Sequence, residues 1–238
     1  FKRFESILHL YQIILNLIIM KIRNTILVIA GILLLSSCVV KSLNPFYTKK
    51  SISFDKRFIG KWTDSKKGVW TVIPFKDEIT KDNPIEKMKM EDLQLYKEYK
   101  NSYYIQREFK GEEALFIATP FNVNNQTFLD FYPLEYQDDI NNLLQKHLIY
   151  THSLVKYDVT ESGEIEIKWL DEKKVESLFK NKKIKIEHKK IGVLKENFLL
   201  TASSKELNKF IEKYTKSKDE NKWDTSTKYT LTKTSDAE

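Results

Sequence analysis

The feature that most constrains the fold is a series of short apolar segments separated by turn residues. Val69-Trp70-Thr71-Val72-Ile73-Pro74-Phe75 is rich in aromatic and β-branched side chains, which pack well on a pleated surface. Residues 103–109 alternate, with Tyr103, Ile105, Arg107 and Phe109 on one face. Gly111 supplies a turn, 114–121 returns, Asn124-Asn125 makes the next turn, and 127–132 follows before Pro133. Further candidate strands are 148–159, 165–169, 184–187, 198–201 and 227–232. Short strands joined by Gly or Asn turns argue for antiparallel hairpins that close on themselves. A wound parallel sheet would need a helix between successive strands. The expectation is a mainly β protein, an antiparallel β-barrel or strongly curved sheet carrying two short amphipathic helices.

The stronger helix is 203–216. Ser203 and Glu206 form a capping box, the hydroxyl taking an orphan amide and the carboxylate reaching back. Leu207, Phe210, Ile211 and Tyr214 then fall on one face. The second helix, 172–180, presents Val175, Leu178 and Phe179. Phe54, Phe58 and Ile59 fit one helical turn leading into the first barrel strand. The charge-dense segment 76–92 reads as a long loop, and Tyr96-Lys97-Glu98-Tyr99-Lys100 as a strand with one wet face.

The N-terminal region has a different character. Met20-Lys21-Ile22-Arg23 is short and basic, 26–35 is an apolar run of ten residues, and Ser36-Ser37-Cys38 follows. A basic start, an apolar core of ~7–15 residues and small residues before a cut define a secretory signal. The run is well short of the ~20 residues that span a bilayer. Leu35-Ser36-Ser37-Cys38 resembles the bacterial lipobox, which implies lipid on the Cys38 sulfur and cleavage before it. Cys38 is the only cysteine, so no internal disulfide forms. The expected organisation is 1–19 as an upstream segment translated ahead of the true start at Met20, 20–37 as signal peptide, 38–53 as lipidated tether, and 54–235 as one β-rich domain. Val39 after the lipidated position, and no acidic cluster in 40–44, imply a bacterial envelope protein on the outer membrane facing the periplasm. Its membrane contact would run through the N-terminal lipid.

Charge excludes little. Removing the four basic residues and one acid that precede Cys38 lowers the formal +7 to +4, and Lys and Glu are interspersed throughout. A nucleic-acid footprint would cluster its positive charge on one face, so nucleic acid is not expected as a partner. His147 and His152 are five apart and share no helix or strand face, and no HExxH accompanies them. Ser153 adjoins His152, but a triad is defined by geometry, not by adjacency. Asp138-Asp139 and Glu112-Glu113 would point to opposite faces in strands. The sequence carries no GxSxG and no phosphate-cradling glycine pattern. No catalytic residue, metal site or cofactor is expected.

Gly60-Lys61-Trp62, just after the helical turn, resembles the GxW signature of lipocalin-like barrels. The resemblance implies that Trp62 closes the barrel floor and Gly60 permits the tight start. It also implies an interior lined by Trp62, Trp70, Tyr104, Phe116 and Phe131 and holding a small apolar molecule or a lipid. A TDY-like turn and a late arginine, which usually accompany that signature, are absent. Ser42-Leu43-Asn44-Pro45-Phe46-Tyr47-Thr48, Phe54-Asp55, Phe128-Leu129-Asp130-Phe131-Tyr132-Pro133 and 199–207 together look like a family of small, Bacteroidetes-type bacterial lipoproteins. That likeness spans most of the chain after Cys38 and implies no activity. The alternative to a ligand carrier is an envelope-associated interaction module without a cavity.

Overall fold

A computed structural model describes residues 39–134, 148–195 and 197–234. The strands are β1 (Lys41–Ser42), β2 (Gly60–Asp64), β3 (Val69–Pro74), β4 (Tyr103–Phe109), β5 (Glu112–Val123), β6 (Gln126–Pro133), β7 (His152–Val159), β8 (Ile165–Trp169), β9 (His188–Ile191), β10 (Asn197–Leu200) and β11 (Lys228–Lys233). The helices are α1 (Phe75–Thr80), α2 (Met90–Tyr99), α3 (Glu172–Lys180) and α4 (Ser204–Thr215).

Eight strands form a closed antiparallel barrel in the order β2-β3-β4-β5-β6-β7-β8-β11, with β11 returning to β2. Each hairpin neighbour in sequence is a neighbour in space, the up-and-down arrangement that removes free edges. The expected barrel is present, and the alternative of an open curved sheet is not. The β5–β6 hairpin shows how local chemistry sets register. Asn124 and Asn125 both adopt positive φ, 51° and 61°, the backbone of a two-residue turn that matches strand twist. Val123 then faces Gln126, and pairing runs unbroken to Phe116 opposite Pro133.

Alternation divides the molecule into two cores. Inward-facing Trp62, Trp70, Val72, Tyr103, Ile105, Leu129, Phe131, Val155, Tyr157, Ile167 and Leu231 fill the barrel. The second core lies on the outer face of β5–β7, where Phe121, Phe128 and Leu154 point away from the lumen. It is covered by residues inserted between β8 and β11. These include α3, the β9–β10 hairpin and α4, whose Leu207, Phe210, Ile211 and Tyr214 are buried. Each such side chain contributes roughly 1.5–3 kcal/mol by burial. The expected capping box is formed, with Ser203 and Glu206 bonded reciprocally.

Several expectations are corrected. Residues 39–53 are not a free tether. β1 pairs with β7 and β10, and Val40, Ser42, Phe46 and Tyr47 are buried. The segment therefore belongs to the second core. The expected loop 76–92 contains α1 and the start of α2, and Tyr96-Lys97-Glu98-Tyr99-Lys100 is helix, not strand. α2 buries no residue. With no apolar stripe to read, it rests on good helix formers and on Glu91 and Asp92 in its first turn, where the helix dipole favours anions. The strand expected at 184–187 lies instead at His188–Ile191, fixed by pairing with β10.

Candidate functional site

The lumen is the place the sequence points to, and the barrel supplies it with aromatic rings that touch one another. Trp62 is 2% exposed and donates its indole N–H to the Phe58 carbonyl at 2.9 Å. Phe58 sits in the 3-10 turn Lys56–Phe58 and packs on Tyr103 and Tyr157, with ring centroids 5.2 and 5.4 Å apart. Gly60 begins β2 at φ 135°, a conformation that side chains disfavour. A Cβ there would meet Lys233 Cε at an ordinary 3.5 Å, so backbone conformation, not space, requires glycine. Lys233, from the last strand, holds its ammonium 5.9 Å from the Trp62 ring centre.

A second group of rings crosses the barrel. Trp70 on β3 meets Phe131 on β6 at 6.5 Å, and Phe131 meets Trp169 on β8 at 5.1 Å. Tyr229 on β11 contacts both tryptophans, at 5.8 and 5.9 Å. The strands β3, β6 and β8 are not barrel neighbours, so these contacts run through the interior. Phe116 packs on Phe131 at 5.5 Å. Of the expected lining residues, Trp62, Trp70, Phe116 and Phe131 face inward, and Tyr104 does not. Alternation gives the inward place to its neighbour Tyr103, which is fully buried.

Above Trp70 lies a buried carboxylate. Asp64, 4% exposed, accepts from Trp70 Nε1 at 2.8 Å, Arg107 Nε at 2.9 Å, and the Lys66 and Gly68 amides at 2.8 Å. Arg107 Nη2 adds a second contact at 2.8 Å. Burial alone pushes this carboxyl up, but hydrogen bonds from Trp70, Gly68, Arg107 and Lys66 outweigh it and hold the group below its usual range. Gly68 has a steric reason as well. A Cβ would lie 2.5 Å from Asp64 Oδ2 and 2.7 Å from Arg107 Nη2. The Arg107 guanidinium also lies over Trp70, Phe109 and Tyr229, at 5.7, 4.9 and 5.1 Å.

On the outer face of the barrel is a second buried carboxylate that sequence reasoning missed. Asp130 Oδ1 meets His152 Nδ1 at 2.6 Å, and Oδ2 accepts from the Phe46 amide at 2.7 Å. Asp130 is 1% exposed, and burial pushes its carboxyl above the usual range, with His152 and the Phe46 amide countering only in part. A carboxylate on one imidazole nitrogen can orient a catalytic base. Here the adjoining serine does not complete that arrangement. Ser153 points to the lumen, where its hydroxyl accepts from Trp169 Nε1 at 3.3 Å. The pair acts as a clamp joining β6, β7 and the segment leading to Phe46. The signal in the sequence was an aspartate inside the apolar run Phe128–Phe131.

Elsewhere, an open cleft of about 520 Å³ is lined by Asp171, Lys173, Lys174, Ser177 and Asp224, a mixed-charge surface without convergent chemistry. Among the described residues, no group of three His, Cys, Asp or Glu side chains comes together to hold a metal ion. None of the described helices is long and apolar enough to cross a membrane. His147 and Asp138-Asp139 lie outside the described residues, as does Cys38. Comparison of the chain with protein-family models, curated proteins and solved structures finds no match.

Proposed function

We propose that this chain is a lipid-anchored envelope protein whose barrel is a rigid, filled scaffold for contact with another envelope protein. The observation that carries this reading is the lumen. A small-molecule site needs roughly 300 Å³ or more of mostly apolar concavity. Here Trp70, Phe131 and Trp169 are buried in the barrel core, Tyr229 packs against it, and the four rings touch one after another. Recognition is left to the outside, including the open edge of the sheet at β9. Interior packing of this kind favours the interaction module over the apolar carrier.

Anchoring rests on Cys38. Cys38→Ser is expected to abolish labelling by a fatty-acid analogue and to release the protein from the membrane fraction, whereas unchanged labelling would remove the anchor from the account. The interaction reading is tested by placing photo-crosslinking residues on exposed positions of β9 and of the barrel turns in cells. A discrete protein adduct from one face supports it. Adducts only to lipid, or none from any face, contradict it.

A further inference from the structure

The β9–β10 hairpin carries the strongest unexplained feature on the surface. Between its two strands the chain reads Gly192-Val193-Leu194-Lys195-Glu196. Val193 is 99% exposed and Leu194 85%, although each is an aliphatic side chain at the end of a strand pair. From Lys180 to Glu196 the chain holds seven lysines against two acids, Glu187 and Glu196. Lys189, Lys190 and Lys195 flank the apolar pair and are exposed, and Lys190 also reaches Glu176 at 3.5 Å. An aliphatic tip on a hairpin with an excess of lysines suits one kind of surface in particular, an anionic phospholipid interface. There the aliphatic groups leave water and the ammonium groups stay at the level of the phosphates.

Strand direction supplies an independent argument. β1 runs parallel to β10, with Lys41 opposite Leu199 and Ser42 opposite Leu200. The ladder begins at Lys41, and Val39, two residues earlier, bridges Asp171. Asn197 is the first residue of β10 after the tip and faces Ile191, the last of β9. β1 and β10 therefore start at the same end of the sheet, the end from which the hairpin tip projects. Cys38 directly precedes Val39 in the sequence.

We propose that the β9–β10 hairpin is a second membrane contact, in which Val193 and Leu194 enter the interfacial layer of an anionic phospholipid bilayer and Lys189, Lys190 and Lys195 lie against the head-group phosphates. The orientation argument rests on the reading of Cys38 as the lipid anchor. The tip contact itself is a separate physical claim. Together the two contacts would fix how the barrel stands on the membrane, because a single lipid contact leaves rotation about it free and a second point removes it.

The test uses the full chain in vesicles of equal parts phosphatidylglycerol and phosphatidylcholine, with brominated acyl chains as fluorescence quenchers. Val193→Trp places a reporter in the tip, and Glu112→Trp places one at an exposed position on the barrel. Flotation with the vesicles reports the anchor, and quenching of the added tryptophan over the wild-type background reports the tip. The proposal expects the Val193→Trp signal to fall by more than half and the Glu112→Trp signal to be unchanged. Flotation without quenching at position 193 overturns the tip contact while leaving the anchor intact. Loss of flotation in Cys38→Ser with quenching at 193 retained when vesicles are in excess supports the tip as a contact in its own right. Equal quenching at 193 and 112 overturns it, as does protection of position 193 by a co-purifying protein in place of lipid.

Discussion

The two cores of this protein each bury an aspartate, and they treat it in opposite ways. Asp64, at the rim of the lumen, is surrounded by four donor groups, one of them a guanidinium, and its carboxyl is held down. Asp130, between the barrel wall and the outer core, has one imidazole and one amide, and its carboxyl is pushed up. Burial penalises a charge in both places, so the number and kind of donors decide the outcome. If one donor is lost Asp64 keeps three of Trp70, Arg107 and the Lys66 and Gly68 amides, whereas Asp130 keeps one.

The largest effect expected from breaking this contrast is on the lumen rings. Trp70→Ala removes the ring that reaches Phe131 and Tyr229 and also one donor of Asp64. It should cost about 3–5 kcal/mol, a large part of the ~5–15 kcal/mol that holds a typical domain together. Trp62→Ala belongs in the same range, and urea unfolding followed by circular dichroism measures both. A midpoint shift near zero for Trp62→Ala would mean that the floor contact with Phe58 contributes nothing.

Next come the two carboxylate partners. His152→Ala leaves Asp130 with a single amide and should cost about 3–5 kcal/mol, as for other broken buried pairs. Arg107→Ala leaves Asp64 with Trp70, Gly68 and Lys66, so the loss should be smaller, about 1.5–3 kcal/mol for charge-assisted bonds. If Arg107→Ala proves the more damaging, the argument from donor number fails.

The smallest and most specific effect is on pH dependence. A carboxyl held below its unfolded value, about 3.9 for aspartate, stabilises the fold above about pH 4 and loses that contribution as the pH falls. A carboxyl held above it does the reverse, stabilising below about pH 4 and losing the contribution as the pH rises through its folded value. Wild type should therefore gain on Asp64→Asn, and lose ground to Asp130→Asn, as the pH is raised from about 3. Parallel curves for the two variants would remove the distinction between the sites.

How much of this was legible in the sequence follows the same division. The barrel was readable because its strands alternate in and out. Residues 165–169 were expected as strand and form β8, and Gly60 and Trp62 stand out by their place between a helical turn and the first barrel strand. α4 announced itself through Ser203, Glu206 and one apolar face. What escaped was set by distance in the chain. β9 looks like a charged loop at Lys189-Lys190 until β10 pairs with it. Residues 39–53 look like a linker until β7, β10 and α4 bury Phe46 and Tyr47. His152 was weighed against His147 and Ser153, its neighbours in sequence. Its partner is Asp130, delivered by the β6–β7 register that sets Asp130 opposite Leu154. No local pattern encodes that meeting.

A barrel filled by its own side chains is expected to hold no apolar cargo. Native mass spectrometry of the full chain in a mild detergent measures this. The expected result is a single mass equal to the chain with any lipid covalently attached, unchanged when collision energy is raised. A stoichiometric adduct that leaves on activation and returns when lipid is added back, and that Phe131→Ala or Trp169→Ala alters, would contradict it.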